Sequence, residues 1–402
     1  MRFFGAGGKM GFGRPTFETF HVGGQFTNVN YGNEVGFIPL PRIGKWNGTA
    51  WQNPFGDGLN NTTNTLAVDS NDNLYVGGGF NEANGTSSNR IAKWNTTSEA
   101  WEYPFGSGMN SSVFAFAFDS SGNLYVGGAF TTANGVTANR IAKWNGTQFI
   151  ALGSGVNTNV NALAVDSNDN LYAAGNFTTA NGTTSNRIAR WNTTSEAWEY
   201  PFGSGLNNNV GALAVDSNDN LYVGGFFTTA GGTASNRIAR WNTTSSAWEY
   251  PFGSGLNDGP YILAVDSNDN LYAGGRFTTA NGTASNRIAK WNTTSEAWEY
   301  PFGSGLSNFV STLSFDSSGN LYVGGAFTTA NGTASNYIVK WNTTSEAWEY
   351  PFGIGLSLTV FDSKIDSSGN LYVVGIFTNA FYNAGYSRFV SLRKNVLSET
   401  PQ

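Results

Sequence analysis

The sequence predicts an all-β fold, a single β-propeller of four-stranded blades, and three observations carry that prediction. The stretch Asn73-Leu74-Tyr75-Val76-Gly77-Gly78 recurs with small changes at Leu124, Leu171, Leu221, Leu271, Leu321 and Leu371, in steps of 50, 47, 50, 50, 50 and 50 residues. A weaker copy sits at Phe20-His21-Val22-Gly23-Gly24. A period of that size marks one supersecondary unit repeated, and it overrides the two or three domains that 402 residues would otherwise suggest. Each unit also holds four short apolar or aromatic runs separated by turns, as a propeller blade does. Finally, charged residues are 12% of the chain, aromatics 15%, and there are 52 Gly, a composition for short strands and tight turns. No 3.6-residue apolar periodicity argues for helices.

One clean unit shows how the strands follow one another. Residues 212–216 read as strand A, and Ser217-Asn218-Asp219 turns the chain. Residues 220–227 read as strand B, apolar on both faces as a sheet between two neighbours requires. Its Gly pair leaves room for a large neighbour to approach, and Gly231-Gly232 marks a hairpin turn where most copies carry Asn-Gly. Residues 236–241 read as strand C and 247–252 as strand D.

All thirteen Trp belong to the repeat, seven ending strand C and six in strand D. Many of them are expected to pack between blades, opposite the glycines. Pro104, Pro201, Pro251, Pro301 and Pro351 are placed on strand D. Because Pro cannot donate to a ladder, strand D is expected at the outer edge and strand A at the inner one.

Strands B and C occur eight times, whereas A and D have seven good copies each. Eight blades is the favoured count, with residues 10–14 standing in for a missing A and 396–400 for a missing D. Seven blades is the alternative: strand D would come from Trp51-Gln52-Asn53-Pro54, the ring would close like a clasp, and a B–C pair would be left over. The division expected is a docking tail over 1–15, a propeller over 16–395 and a short tail over 396–402.

The run Ala-Val-Asp-Ser-(Ser/Asn)-(Gly/Asp)-Asn-Leu-Tyr-Val-Gly-Gly, followed by Asn-Arg-Ile-Ala-Lys-Trp, resembles NHL-type and related bacterial β-propeller repeats. The resemblance spans about residues 20–394 and implies the propeller fold without specifying a function. The chain differs from NHL repeats in its longer period and in Gly-Gly where those carry Ala-Asp.

Several features bear on chemistry. Net charge of −6 without Lys/Arg clusters argues against a nucleic-acid surface. No Cys is present, so disulfides and thiolate metal sites are excluded. The first residues lack the apolar run of a classical signal peptide, and no segment reaches the ~18 apolar residues of a membrane span. An extracellular or virion location would then be reached by lysis, a non-classical route or particle assembly.

The runs beginning at Asp69, Asp166, Asp216 and Asp266 have alternating oxygen donors, which makes them weak calcium candidates. Asp119, Asp316 and Asp366 begin Asp-Ser-Ser-Gly-Asn instead, and an Asp-to-Gly swap suits a turn needing positive φ rather than a ligand. Asn-Gly-Thr and Asn-Thr-Thr, as at Asn84, Asn95, Asn192 and Asn292, match the glycosylation pattern but also satisfy turn chemistry. Arg90, Arg140, Arg187, Arg237 and Arg287 precede strand C and are the ligand-binding candidates. With nearby Trp, Tyr and Asn they could form repeated sugar sites. The structural alternative has them paired with the strand A Asp or stacked on Trp. Position 337 holds Tyr instead.

Catalysis is not expected. The one His is His21, in the degenerate copy, and near-identical blades offer no asymmetric constellation of acids and bases. No cofactor is implied. The candidates for partner docking lie where the repeat breaks: Phe3, Phe4 and Phe12 in the N-terminal segment, Phe37, Ile38 and Leu40 in a long B–C loop, and Tyr382 in an altered last loop. A segment shortened by three residues at 148–152 is a further break. The expected role is a non-enzymatic binding propeller. It would be a virion fibre, tail or decoration protein that joins other virion or surface proteins through its N-terminal segment and attaches to host glycans. A secreted or cell-surface lectin is the alternative, and a glycan-processing enzyme the least favoured.

Overall fold

The structure is a computed structural model that describes residues Val35–Asn383. Seven four-stranded antiparallel sheets form among the described residues, each in the order A-B-C-D. In blades 1 to 7, strand A is Thr63–Val68, Val113–Phe118, Val160–Val165, Val210–Val215, Pro260–Val265, Val310–Phe315 and Val360–Ile365. Strand B is Leu74–Gly78, Leu124–Gly128, Leu171–Gly175, Leu221–Gly225, Leu271–Gly275, Leu321–Gly325 and Leu371–Gly375. Strand C is Ile91–Asn95, Ile141–Trp144, Ile188–Asn192, Ile238–Asn242, Ile288–Asn292, Ile338–Asn342 and, from the other end of the chain, Ile43–Trp46. Strand D is Ala100–Glu102, Phe149–Ala151, Ala197–Glu199, Ala247–Glu249, Ala297–Glu299, Ala347–Glu349 and Trp51–Gln52. Each strand A lies beside the strand A of both neighbouring blades, so strand A is the inner strand, as expected.

Among the described residues the count is therefore seven, the alternative, rather than the favoured eight. The reason is the pairing of Leu371–Gly375 with Ile43–Trp46, in which Val374 faces Ile43 and Leu371 faces Trp46. The clasp extends beyond the blade. Val35–Pro39 pairs with Asn379–Asn383 over five residues, where other blades carry a hairpin of two pairs. Two segments expected as loops are thus strands, because the closing blade makes its B–C hairpin from separate chain segments. Leu40 consequently has no exposed loop to occupy. It is fully buried in the closing core and is not available for docking.

Strand B is buried on both faces, and its two glycines act differently. A Cβ on Gly224 would meet Pro260 and Leu263 of the next blade, at 2.7 and 3.2 Å. Blades 3 and 7 carry Ala174 and Val374 at this position, so the neighbour can yield. A Cβ on Gly225 would stand 2.3 Å from the carbonyl oxygen of Asn209 and 2.8 Å from the Cα of Val210, both backbone. There the register shifts between Val210 and Ala212, a bulge that brings strand A against strand B. The second position is Gly in all seven blades.

The Trp residues do pack between blades, but not against these glycines, whose neighbours are backbone, aliphatic side chains and, at Gly77 and Gly128, Phe116 and Phe130. Trp241 and Trp248 of blade 4 meet edge to face at 5.4 Å, and Phe202, from the turn leaving blade 3, lies 4.9 Å from Trp241. Trp248 Nε1 donates to Phe202 O at 3.1 Å. Pro201 and its equivalents follow strand D rather than lie on it, and they lead into the turn that presents this Phe. Pro with its fixed φ is suited to that turn, and the strand ends before it.

Closure also has polar chemistry of its own. Asp362 in strand A of blade 7 accepts from Leu66 N at 2.8 Å and Thr65 Oγ1 at 3.3 Å in blade 1. It also accepts from Thr312 Oγ1 in blade 6 at 3.1 Å and from Lys364 Nζ at 3.0 Å. One carboxylate thereby ties three blades together where the ring closes.

The two glycines predict different mutational costs. Gly225→Ala should destabilise by about 2–3 kcal/mol in equilibrium urea unfolding and Gly224→Ala by less than half of that. Equal losses would show that backbone approach is not what selects Gly at the second position.

Candidate functional site

The repeated candidates lie on turns whose sequence explains their conformation. In the A–B turn of blade 1, Asp69 Oδ1 accepts from Asn71 N and Asn73 N at 2.9 and 2.8 Å, a side-chain-stabilised turn. Asp166, Asp216 and Asp266 make the same bonds. Asp72, Asp169, Asp219 and Asp269, at the fourth position, adopt left-handed φ of 60–62° and accept from the Ser of the preceding blade. Ser167 N and Oγ, for example, reach Asp219 at 2.8 and 2.6 Å. The calcium candidates thus serve as turn caps, and the fourth-position Asp is an inter-blade link absent wherever Gly122, Gly319 or Gly369 stands there. Among the described residues no three His, Cys, Asp or Glu side chains converge as a metal site. Asn84 has φ of 48° in its hairpin, and Asn95, Asn192 and Asn292 accept from amides of the C–D turn.

The Asp caps also receive strand B tyrosines. Tyr172 and Tyr222 donate to Asp166 and Asp216 at 3.0 and 3.1 Å, and Tyr372 donates to Asp366 at 3.0 Å. Burial, followed by the Asp charge, pushes these phenols well above the ordinary tyrosine range. Tyr75, Tyr125 and Tyr272 are raised for the same reasons, and Tyr322 is pushed up to about 12.

Neither expected partner is the one the arginines choose. Arg90, Arg140, Arg187, Arg237 and Arg287 hold φ of 68–72°, unusual for a residue with a long side chain. Each donates from Nη1 to the carbonyl just past strand B: Gly79, Ala129, Asn176, Phe226 and Arg276 respectively. The backbone of Arg237 bonds the same segment, its amide donating to Phe227 O and its carbonyl accepting from Gly225 N. Arg42 takes the equivalent place in the closing blade, with φ of 64° and a 2.9 Å bond to Leu59 O. Sequence reasoning missed Arg42, although Arg42-Ile43-Gly44-Lys45-Trp46 aligns with Arg90-Ile91-Ala92-Lys93-Trp94. Tyr337 repeats the conformation in blade 6 with φ of 69°.

Arg237 and Arg287 line shallow polar grooves between consecutive blades. One groove brings Arg237 and Asn236 together with Ser254, Asn257 and Thr279. The next repeats it with Arg287, Asn286, Ser304, Ser307 and Thr329. Much of the polar lining is already bonded. Asn236 Nδ2 donates to Ser254 O, and Asn257 Oδ1 accepts from Thr278 N and Thr279 N. The Nη2 groups of Arg237 and Arg287 make no hydrogen bond within the described residues.

Of the docking candidates, Phe37 is 59% exposed on the clasp strand Val35–Pro39, and Ile38 packs partly against the closing core. Tyr382 lies in Asn379–Asn383 and is paired through its backbone with Gly36. Phe3, Phe4, Phe12 and His21 lie outside the described residues, as do the boundaries expected at 15 and 395. The described residues contain no helix long and apolar enough to cross a membrane.

A ring of seven four-stranded blades, closed by one blade shared between distant parts of the chain, defines a repeat-built β-propeller. The chain belongs to the Rax2 C-terminal β-propeller domain family, which it matches over residues 45–151, 142–261 and 260–380. No curated protein matches the sequence. Among solved structures, the extracellular domain of a one-component system from B. thetaiotaomicron is 12% identical with a TM-score of 0.56. The match covers 88% of this chain and 40% of that one, so this chain spans well under half of that domain. The WD40 β-propeller domain of Doa1 is 14% identical with a TM-score of 0.54, covering 86% and 97%. A GH74 enzyme from Niastella koreensis is 17% identical with a TM-score of 0.54, covering 79% and 52%. At these identities the likeness is one of fold.

The seven raised phenols set the alkaline limit of the ring. A folded-state pKa above the unfolded value of about 10 stabilises fully below pH 10 and progressively less as pH rises beyond it. Urea-unfolding stability should therefore fall steadily above about pH 10, and tyrosinate absorbance from these residues should emerge with unfolding. Full ionisation of all tyrosines near pH 10 in a folded ring would contradict the burial argument.

Proposed function

We propose that the protein is a non-enzymatic structural and binding propeller. It would be carried on a virus or phage particle as a fibre, tail or capsid-decoration component and attach to host-surface glycans. The observation that carries this reading is the Arg-lined groove between blades 4 and 5, repeated between blades 5 and 6. Each groove offers guanidinium N–H groups and hydroxyls in a shallow, open setting, suited to weak contacts with sugar hydroxyls. Weak sites repeated around one rigid ring gain strength only against a ligand that is itself repeated, as on a glycan-bearing surface.

The non-enzymatic part rests on the same repetition. Many ionisable groups of the blades are engaged in turns and in pairs such as Arg240–Glu249 at 2.6 Å and Lys290–Glu299 at 2.8 Å. An extracellular setting agrees with the extracellular domains among the solved structures of this fold. The Gly-rich aromatic segment over 1–15 would supply the contact with other particle proteins, and a secreted or cell-surface lectin would lack that need.

Binding to a printed glycan array should rise steeply with ligand density, by about a hundredfold in apparent affinity between sparse and dense spots. Absence of binding at every density would remove the glycan reading. Removing residues 1–15 should abolish incorporation into particles while leaving the propeller folded, and unchanged incorporation would remove the docking role.

A further inference from the structure

In its Phe–Trp rim contacts the ring has one interface unlike the other six. At those six, a Phe from the turn leaving one blade lies against the strand C Trp of the next, with ring centroids 4.8–5.1 Å apart. Between blades 2 and 3 the shortened segment changes this. Its turn presents Leu152 where the others present Phe, and Leu152 O still accepts from Trp198 Nε1 at 2.9 Å. The blade contact is kept but the ring is gone. Trp191 has only Trp198 as an aromatic neighbour among the described residues, at 5.5 Å, and it alone of the seven strand C tryptophans is partly exposed rather than buried.

The same shortening frees a charge. In blades 1, 3, 4, 5 and 6 the strand C cation meets a strand D Glu at 2.5–3.1 Å. In blade 2 the residue facing Lys143 is Ile150, which is 39% exposed. Lys143 keeps a longer contact of 3.8 Å with Asp119 and lies over the Tyr125 ring. Across the gap, Glu196 of blade 3 is exposed and makes no hydrogen bond or ion pair within the described residues. In blade 5 the equivalent Glu296 is bonded to Arg240 of the preceding blade at 3.0 Å. Trp191, Lys143, Glu196, Asn181 and Ile150 line a cavity of about 420 Å³.

We infer that this rim cavity between blades 2 and 3 is a binding site for one neutral hexopyranose unit of a glycan. A pyranose presents an apolar C–H face and an equatorial rim of hydroxyls. The C–H face fits against the exposed part of the Trp191 indole, in the space that Phe occupies elsewhere. The Glu196 carboxylate accepts from hydroxyls and Lys143 donates to them, charge-assisted bonds on opposite sides of one ring. One cation and one carboxylate leave the cavity without net charge, which favours a neutral sugar over a uronic acid. The volume falls within the range of small-molecule sites, about 300–1,000 Å³. The inference rests on the glycan-binding reading but places a single distinct site apart from the repeated grooves.

The test uses the repeat's own residues. Leu152→Phe restores the ring found at six interfaces, and Glu196→Ser installs the residue that blade 4 carries as Ser246. Both variants should melt within a few degrees of the parent protein. Methyl glucoside, galactoside and mannoside, with their short oligomers, are titrated by calorimetry. The parent should bind one of these series with one site per chain, and each variant at least about tenfold more weakly. A flat titration of the parent, binding unchanged in Leu152→Phe, or binding of glucuronate alone would overturn the assignment. If array binding persists in such a case, the rim site fails while the glycan reading stands; if neither assay shows binding, both fail.

Discussion

Everything in this ring depends on closure. Seven wedges of nearly one sequence must turn through a full circle, and the last wedge is assembled from segments more than 300 residues apart in the chain. The sheet pairing of Leu371–Gly375 with Ile43–Trp46 satisfies backbone groups that would otherwise be unpaired strand edges, and the longer clasp strands reinforce it. Closure also carries a dense polar network. Asp362, Thr312, Ser363 and Thr65 bond across the inner strands there, and directional bonds fix the register of the joint in a way that interchangeable aliphatic side chains cannot.

The repeated units show how a short sequence signature becomes an inter-blade joint. The Gly that ends strand B permits a bulge, the bulge sets strand A close to strand B, and the compact inner edge leaves each blade widening toward Trp and Phe at its rim. At the rim one indole N–H and one Phe carbonyl are joined, so the aromatic contact carries direction as well as apolar area. The Arg before strand C holds an unfavoured left-handed conformation, and its guanidinium caps the carbonyl that the turn leaves exposed. Most of what looked like a repeated recognition code in the sequence is therefore hydrogen-bond satisfaction within the scaffold.

The fold was legible because a 50-residue period and four strand signals per unit leave few architectures. Strand order and the inner position of strand A followed from Pro and pattern, even though Pro proved to stand after strand D. The blade count was not legible, since eight copies of strands B and C are compatible with both counts. Which distant B pairs with which C is decided by three-dimensional closure. The arginines were found by their periodicity, but their partner was not, because a carbonyl beyond strand B carries no sequence signal. Leu40 read as exposed because the clasp strands looked like loops when each was seen without its distant partner. The gap at Trp191 was half legible: a three-residue deletion is visible in the sequence, whereas the loss of a ring from the neighbouring blade is a contact between units.

The shared blade also has a meaning for synthesis. While the chain emerges from the ribosome, blades 1 to 6 can form in order from neighbouring sequence, but strand C of blade 7 is made before blade 1 and waits for a strand B made after blade 6. A prematurely terminated product would be an open arc with two raw edges, one at each side of the missing wedge. Translation to residue 375 is thus inspected by the architecture itself, and only a chain that includes this strand hides the open edges from the chaperones and proteases that recognise unpaired strands.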